Sequence, residues 1–304
     1  MPSGLLAWYP LDEHAGATTV LDISGNGHNG TPHPAAVGSG GPMPNVPSPP
    51  AVVGGSLYFP SNQTYVQVPS SPPALDIGSG DFTLDAWVYA VNAVAPIVDK
   101  FDAHAHTGYK FYLDAPFSAS NTSLYFSYGD GSVNLTAKSA APVPLLQWHH
   151  VAVTVQRSST SPYVTVLFYV DGTPHGGQSV VVPVGNIANG LPLLIGGFSM
   201  ASAAATEIAL DELEIFKVAL SAGDIAAIYG AGGIGKCKPT LTCVGDCRGA
   251  KDVTVDDLVT MVNIALDRAP SSACSAGDAN QDGMITIDEL LTAVNNALNG
   301  CPAD

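Results

Sequence analysis

The stretch WHHVAVTVQRSSTSPYVTVLFYVDG, running from Trp148 to Gly172, contains two runs in which every second residue is Val or Phe. The first places Val151, Val153 and Val155 in step, the second Val164, Val166, Phe168 and Val170. A Ser/Thr/Pro cluster separates the runs, and Asp171-Gly172 follows as a tight-turn signal. Successive side chains on a strand point to opposite faces, so this alternation predicts two strands that each bury one face. The centre of the chain is therefore an antiparallel sheet, with Trp148 at its core edge.

The same signal recurs outward in both directions. Before the central pair come LLAWYPLDE (5–13), SLYF (56–59), YVQVP (65–69), DFTLDAWVYA (81–90), YKFYLD (109–114), SLYFSY (123–128) and VNLTA (133–137). After it come QSVVVPV (178–184), LPLLIG (191–196) and EIALDELEIF (207–216). VLDISGNGHNG (20–30) reads as a tight Gly/Asn loop, and the Pro/Gly/Ser/Ala-rich residues 31–55 as an irregular excursion. About a dozen short antiparallel strands must stack or close, which predicts a mainly β fold, a two-sheet jelly-roll sandwich.

Composition narrows the function. Apolar residues make up 46% of the 304 residues and charged ones 12%, enough to build a large core. The net charge is −16 with only 10 Lys and Arg, which argues against nucleic acid, because phosphate binding needs clustered cations. No apolar run is long enough to span a membrane. The N-terminal MPSGLLAWYPLDE has neither the basic segment nor the apolar core of a secretion leader, so the expectation is that either a leader has been removed or the chain is trimmed. All five cysteines, Cys237, Cys243, Cys247, Cys274 and Cys301, lie in the last 68 residues. Without a CxxC pair or a nearby His, that small acidic segment reads as disulfide-stapled and extracellular, its pairing open and one cysteine left over.

Nine segments in order resemble the laminin-G-like domains of the concanavalin A-like lectin/glucanase superfamily: AWYPLDEHAG, DISGNGHNG, SLYF, YVQVP, DFTLDAWVY, QWHHVAVTV, FYVDG, LDELEIF and ALSAGDIAAIY. The last, with Ser221 as N-cap, predicts a short helix closing a domain over residues 1–230. The resemblance implies a jelly-roll sandwich with a binding, adhesive or spacer role, here glycan or extracellular matrix. It also implies a structural calcium in the Gly-rich loop, held by Asp22, oxygens around Asn26 and His28, and Asp211. The alternative there is a turn held by Asx hydrogen bonds alone.

Hydrolytic members of the superfamily carry paired carboxylates on one strand face. In LDELEIF, alternation places Glu212 and Glu214 on one side and Asp211, Leu213 and Ile215 on the other. The third carboxylate of the hydrolytic pattern is missing, so the expectation is a protein without catalytic residues. His104 and His106 could hold a transition metal from a strand, but read better as a polar loop. His149 and His150 read as packing and hydrogen-bonding residues, and Trp8, Trp87 and Trp148 as core. A sugar-stacking platform is expected instead from Phe101, Tyr109 and Phe198.

Past a linker (231–242), the chain repeats itself at an offset of 32: Asp246, Thr254, Leu258, Val262 and Leu266 recur as Asp278, Thr286, Leu290, Val294 and Leu298. Each copy is a loop followed by a helix. The apolar stripes Val255/Leu258/Val259/Val262/Leu266 and Ile287/Leu290/Leu291/Val294/Leu298 are expected to bury against each other. The second loop, DANQDGMITIDE, fits a calcium loop, with Asp278, Asn280, Asp282, the Met284 carbonyl, Thr286 and Glu289 as ligands and Gly283 at the sharp turn. The first loop has Arg248, Ala250 and Lys251 where ligands should stand, and no calcium is expected there; disulfides through Cys243 or Cys247 supply rigidity instead. Residues 243–304 thus form a small α module that resembles dockerins, which implies a cohesin-like partner.

Overall fold

A computed structural model describes residues 2–13, 15–44, 55–70, 75–114, 121–157, 163–181, 185–199, 206–232, 243–250, 252–279 and 283–301. The chain divides into two compact units, Met1–Lys236 and Cys237–Asp304.

The first unit is a sandwich of two antiparallel sheets. One is built on β12 (Trp148–Arg157) and β13 (Tyr163–Val170), the two strands of the central stretch, paired in register from Val151↔Val170 to Arg157↔Val164. Its order is β14 (Thr173–Val181), β13, β12, β6 (Phe82–Ala90), β16 (Ile208–Phe216), β4 (Leu57–Phe59) and β3 (Met43–Pro44), with β1 (Leu5–Tyr9) also on β16. The second sheet runs β10 (Asn134–Lys138), β9 (Asn121–Asp130), β8 (Thr107–Asp114), β7 (Ala95–Asp102), β15 (Leu193–Ile195), β5 (Tyr65–Val68) and β2 (Thr31–His33), with β11 (Val143–Pro144) also on β9. The alternating residues of both sheets meet in one core: Val151, Val153, Val155, Val164, Val166 and Phe168 face Phe111, Leu124 and Phe126.

Asp171-Gly172 forms the two-residue turn between β13 and β14, with φ of 49° and 72°. That left-handed geometry matches the twist of a hairpin and requires Gly at its second position. A Cβ on Gly172 would also meet Tyr229 at 2.9 Å. Tyr229 belongs to α1 (Ala222–Ala231), whose Ser221 capping box starts the helix as expected and whose Ile225 and Ile228 pack on Ala152, Tyr169 and Phe216.

The excursion at 31–55 contributes β2 and β3, and β7 is a strand missing from those read in the sequence; His104 and His106 lie in the turn that joins it to β8, a polar loop as expected. Lys100 and Asp99 made β7 look polar; both are buried, each with its own partners. Trp8 and Trp87 are buried, but Trp148, first residue of β12, is only part-buried beside Tyr89.

In the second unit, α2 (Val255–Ala265) and α3 (Ile287–Asn299) pack around a short 3₁₀ segment, Ser271–Gly277. Disulfides join Cys243 to Cys301 and Cys247 to Cys274, which resolves the pairing; Cys237 lies outside the described residues. The apolar stripes do not bury as expected. Their part-buried members are Leu258 and Leu290, while the core is Val253, Met261, Ile264, Ile285 and Ala293. Each helix is turned toward the cystines and the 3₁₀ segment, so Val255, Val259, Val262 and Leu266 stay exposed, as do Ile287, Leu291, Val294 and Leu298. The exposed positions of the two helices match at the repeat offset of 32.

Candidate functional site

Strand alternation on β8 and β9 sends Tyr109, Phe111, Leu113, Leu124, Phe126 and Tyr128 into the core. The opposite face therefore carries Lys110, Tyr112, Tyr125 and Ser127. Register across three strands aligns Tyr112 with Tyr125 and Tyr125 with Lys138 of β10. The Tyr112 and Tyr125 rings stack with centroids 5.5 Å apart and 22° between planes. Lys110 Nζ lies over the Tyr112 ring at 4.9 Å, Lys138 Nζ over the Tyr125 ring at 5.5 Å, and Phe198 meets Tyr112 edge-on at 5.9 Å. Burial and nearby carboxylates push the Tyr112 phenol up, partly offset by its hydrogen bond with Ser127, so it stays a neutral donor. Aromatic surface edged by hydroxyls and ammonium groups can hold a sugar ring by contact and orient it by hydrogen bonds.

Of the expected platform, Phe198 belongs to this stripe and is part-exposed. Tyr109 does not: it is 1% exposed, and its hydroxyl donates to the Leu75 carbonyl. Phe101 is buried beneath Lys110. The signal that could have found Tyr112 and Tyr125 was already in YKFYLD and SLYFSY, where they fall on the non-core phase of the alternation.

The Asp22 loop is closed by its own hydrogen bonds. Asp22 Oδ1 accepts from the N–H of Trp8 (2.9 Å) and Ser24 (3.0 Å), and Oδ2 from the N–H of His28 (2.9 Å). Asn26 turns its amide N–H toward the Leu5 and Leu6 carbonyls. These are Asx-type bonds, and they engage both carboxylate oxygens of Asp22.

Asp211 sits beside Trp87 on β16, where a bulge between Asp211 and Glu214 places Glu212 at φ 50°. The extra residue breaks the alternation, so Asp211 joins Glu214 on the face of Trp87 and Asp85, and Glu212 reaches Trp8, which is paired with Glu214 on that same face. Glu212 accepts from Trp8 Nε1 at 2.7 Å, and Asp85, Asp211, Glu212 and Glu214 are all buried. His150 Nε2 is 3.2 Å from Asp85, while His149 Nδ1 and the His150 N–H bond Asp171. His104 and His106 lie in the β7–β8 turn, both exposed.

In the second unit the repeated loops close alike. Thr286 N–H and Oγ1 donate to Glu289 Oε2 at 2.7 and 2.9 Å, as Thr254 N–H and Oγ1 donate to Asp257 at 2.8 and 2.6 Å. Glu289 Oε1 accepts from the Ala279 N–H and Asp278 Oδ2 from the Gly283 N–H, both at 2.7 Å. The last residue of DANQDGMITIDE thus reaches back to the start of the loop; Asn280 and Asp282 lie outside the described residues. Among the described residues no group of three or more His, Cys, Asp or Glu side chains is placed to hold a metal. In the first loop Arg248 Nε and Nη2 each lie 3.2 Å from a different Asp257 oxygen, so a guanidinium supplies the positive charge there.

Residues 60–226, more than half of the chain, match the profile of the concanavalin A-like lectin/glucanases superfamily in its laminin-G form, and the chain belongs to that family. The binding domain of Paraclostridial Mosquitocidal Protein 1 is similar in fold, with TM-score 0.56, 16% identity, and coverage of 75% of this chain and 52% of that one. Domain 4 of AbnA, a GH43 extracellular arabinanase from Geobacillus stearothermophilus solved with arabinotriose, gives TM-score 0.50 and 18% identity over 74% of this chain and 98% of that one. The botulinum neurotoxin serotype D ligand-binding domain with N-acetylneuraminic acid gives 0.52 and 13%, over 75% and 51%. The chain spans about half the length of the toxin domains it matches. No curated protein matches the sequence.

Proposed function

We propose that the protein is a non-catalytic extracellular binding protein: its sandwich binds glycan on the outer face of β8–β10, and its disulfide-linked module docks another protein. The stacked Tyr112–Tyr125 pair carries this reading, because an aromatic pair flanked by ammonium groups has no core to fill on that side. The saccharides bound by the AbnA domain and the neurotoxin domain support it through fold alone. Two disulfides and the extracellular setting of the arabinanase support the location. Among the described residues no helix is long and apolar enough to cross a membrane.

Calcium is the cofactor we assign to the second repeat. The test of fit is the donor set: Asp278 and Glu289 offer only oxygens, both are buried, and Glu289 folds back over the start of the loop. Met284 by its carbonyl and Thr286 through water would complete the set with Asn280 and Asp282. The duplicated exposed faces of α2 and α3 suit a globular partner with an apolar surface, a cohesin-like protein in this reading.

A glycan array probed with the full chain, with and without chelator, tests the first half. Binding by the wild type, weakened at least tenfold in Tyr112→Ala/Tyr125→Ala, is expected; binding untouched by that double change would move the site elsewhere. Turnover of a β-glucan that disappears in Glu212→Ala/Glu214→Ala would replace the binding reading with a hydrolase.

A further inference from the structure

The outer face of β8, β9 and β10 forms two rows in register. One is Tyr112, Tyr125 and Lys138; the next is Lys110, Ser127 and Thr136. These six positions hold two ammonium groups, two phenols and a hydrogen-bonded hydroxyl pair, Ser127 and Thr136 at 2.8 Å, with no carboxylate. That composition stands out in a chain with 26 Asp and Glu against 10 Lys and Arg. The described cations of the first unit are Lys100, Lys110, Lys138, Arg157 and Lys217. Lys100 and Arg157 are buried in polar contacts, so two of the three surface cations stand on this one grid.

The nearest acids are already engaged or at the margin. Asp99, opposite Lys110 on β7, accepts from the N–H of Phe101 and from the N–H and Oγ of Ser199, and is buried. Asp114 ends β8 in the row next to Tyr112, on the same face, and there it helps to raise the Tyr112 phenol. An ammonium over an aromatic ring is pre-positioned by the ring's electrostatics while its N–H donors remain available. The stacked rings turn part of their faces to each other and to these ammonium groups, so a ligand meets phenol hydroxyls and positive charge as well as ring surface.

We infer that the glycan taken by this face is an anionic one, its carboxylate or sulfate bonded by Lys110 and Lys138 while its ring lies against Tyr112 and Tyr125. The inference rests on the glycan-binding reading above and names the ligand class. Charge-assisted hydrogen bonds to a carboxylate or sulfate are about twice as strong as neutral ones, which gives the two lysines a decisive share in selection.

The experiment is an array of paired glycans, each uronate beside its methyl ester, each sialylated chain beside its asialo form, and each sulfated chain beside its unsulfated form. It is probed with the full chain, with Lys110→Gln/Lys138→Gln, and with Lys110→Arg/Lys138→Arg. The wild type is expected to favour the acidic members of at least one pair type by tenfold or more, with the preference shrinking as salt rises. The glutamine variant should lose that preference and the arginine variant keep it. The pair types that respond distinguish carboxylate from sulfate. Equal binding of acidic and neutral partners, lost in Tyr112→Ala/Tyr125→Ala, would overturn the anionic inference and leave the glycan reading standing. An acidic preference untouched by Lys110→Gln/Lys138→Gln would overturn it too, and no binding to any printed glycan would overturn both.

Discussion

Lys100 sits at a position of β7 where strand periodicity calls for an apolar residue. Its ammonium donates to the carbonyls of Asn189 (3.1 Å) and Leu191 (2.6 Å) and to Asn189 Oδ1 (3.1 Å), and pairs with Asp76 at 3.0 Å. The side chain is 2% exposed and Asp76 20%. A cation with so little water is tolerated because every donor is used, and it fixes the 189–191 loop to the sheet. Lys100→Met should therefore cost stability through the acceptors it strands: about 2–3 kcal/mol after allowing for the part-exposed Asp76, below the usual loss for breaking a fully buried pair. Urea unfolding followed by tryptophan fluorescence measures it; a change under about 0.5 kcal/mol, typical of a surface site, would contradict this account. The sequence shows a lysine there, but only the fold shows what surrounds it.

The repeated loops of the second unit have solved one electrostatic problem in two ways. Asp257 and Glu289 occupy equivalent positions and cap their helices with the same threonine bonds. Burial alone would raise the Asp257 carboxyl, yet the bonds from Thr254 and Arg248 outweigh it and hold its pKa below the ordinary value. With the folded pKa depressed, its stabilisation is fully present above the unfolded pKa of about 3.9 and is lost as pH falls through the lower folded value. The helical signal of the module should thus weaken on acidification below about pH 4, and Asp257→Asn should flatten that limb of the profile while lowering stability at neutral pH. The second loop should answer to calcium instead: millimolar Ca²⁺ should raise the melting temperature of this unit relative to chelator, and Asp278→Asn/Glu289→Gln should abolish the difference. A calcium-independent melt of the wild type would remove the cofactor from the account.

Two compact units with different sources of stability should unfold separately. The sandwich rests on one continuous apolar core, whereas the second unit has few buried apolar residues and two cystines closing loops of 58 and 27 residues. Loop closure of that size removes about 3–4 kcal/mol of chain entropy per disulfide in the simplest treatment. Reduction should lower the transition of the second unit by tens of degrees or abolish it, and leave that of the sandwich in place; calorimetry with and without dithiothreitol distinguishes the two. The exposed aliphatic faces give a further test. Val259→Asp/Leu291→Asp should change stability by less than about 0.5 kcal/mol, as expected at surface positions, while reducing any self-association or partner capture.

The sequence alone determined that the first unit is an antiparallel sandwich, because period-two alternation in segments such as VAVTV and VTVLFYV depends only on which residues share a strand face. It also determined the closing helix at Ser221 and the repeat of loop and helix at an offset of 32. Tertiary structure decided what periodicity cannot carry. The bulge at Glu212 inserted one residue into β16 and brought Asp211 onto the face of Glu214. The packing of α2 and α3 on the cystines turned their apolar stripes outward. Lys138, Tyr125 and Tyr112 became neighbours only through strand register. Each of these depends on which strands and helices meet, and that is set by long-range burial rather than by local order along the chain.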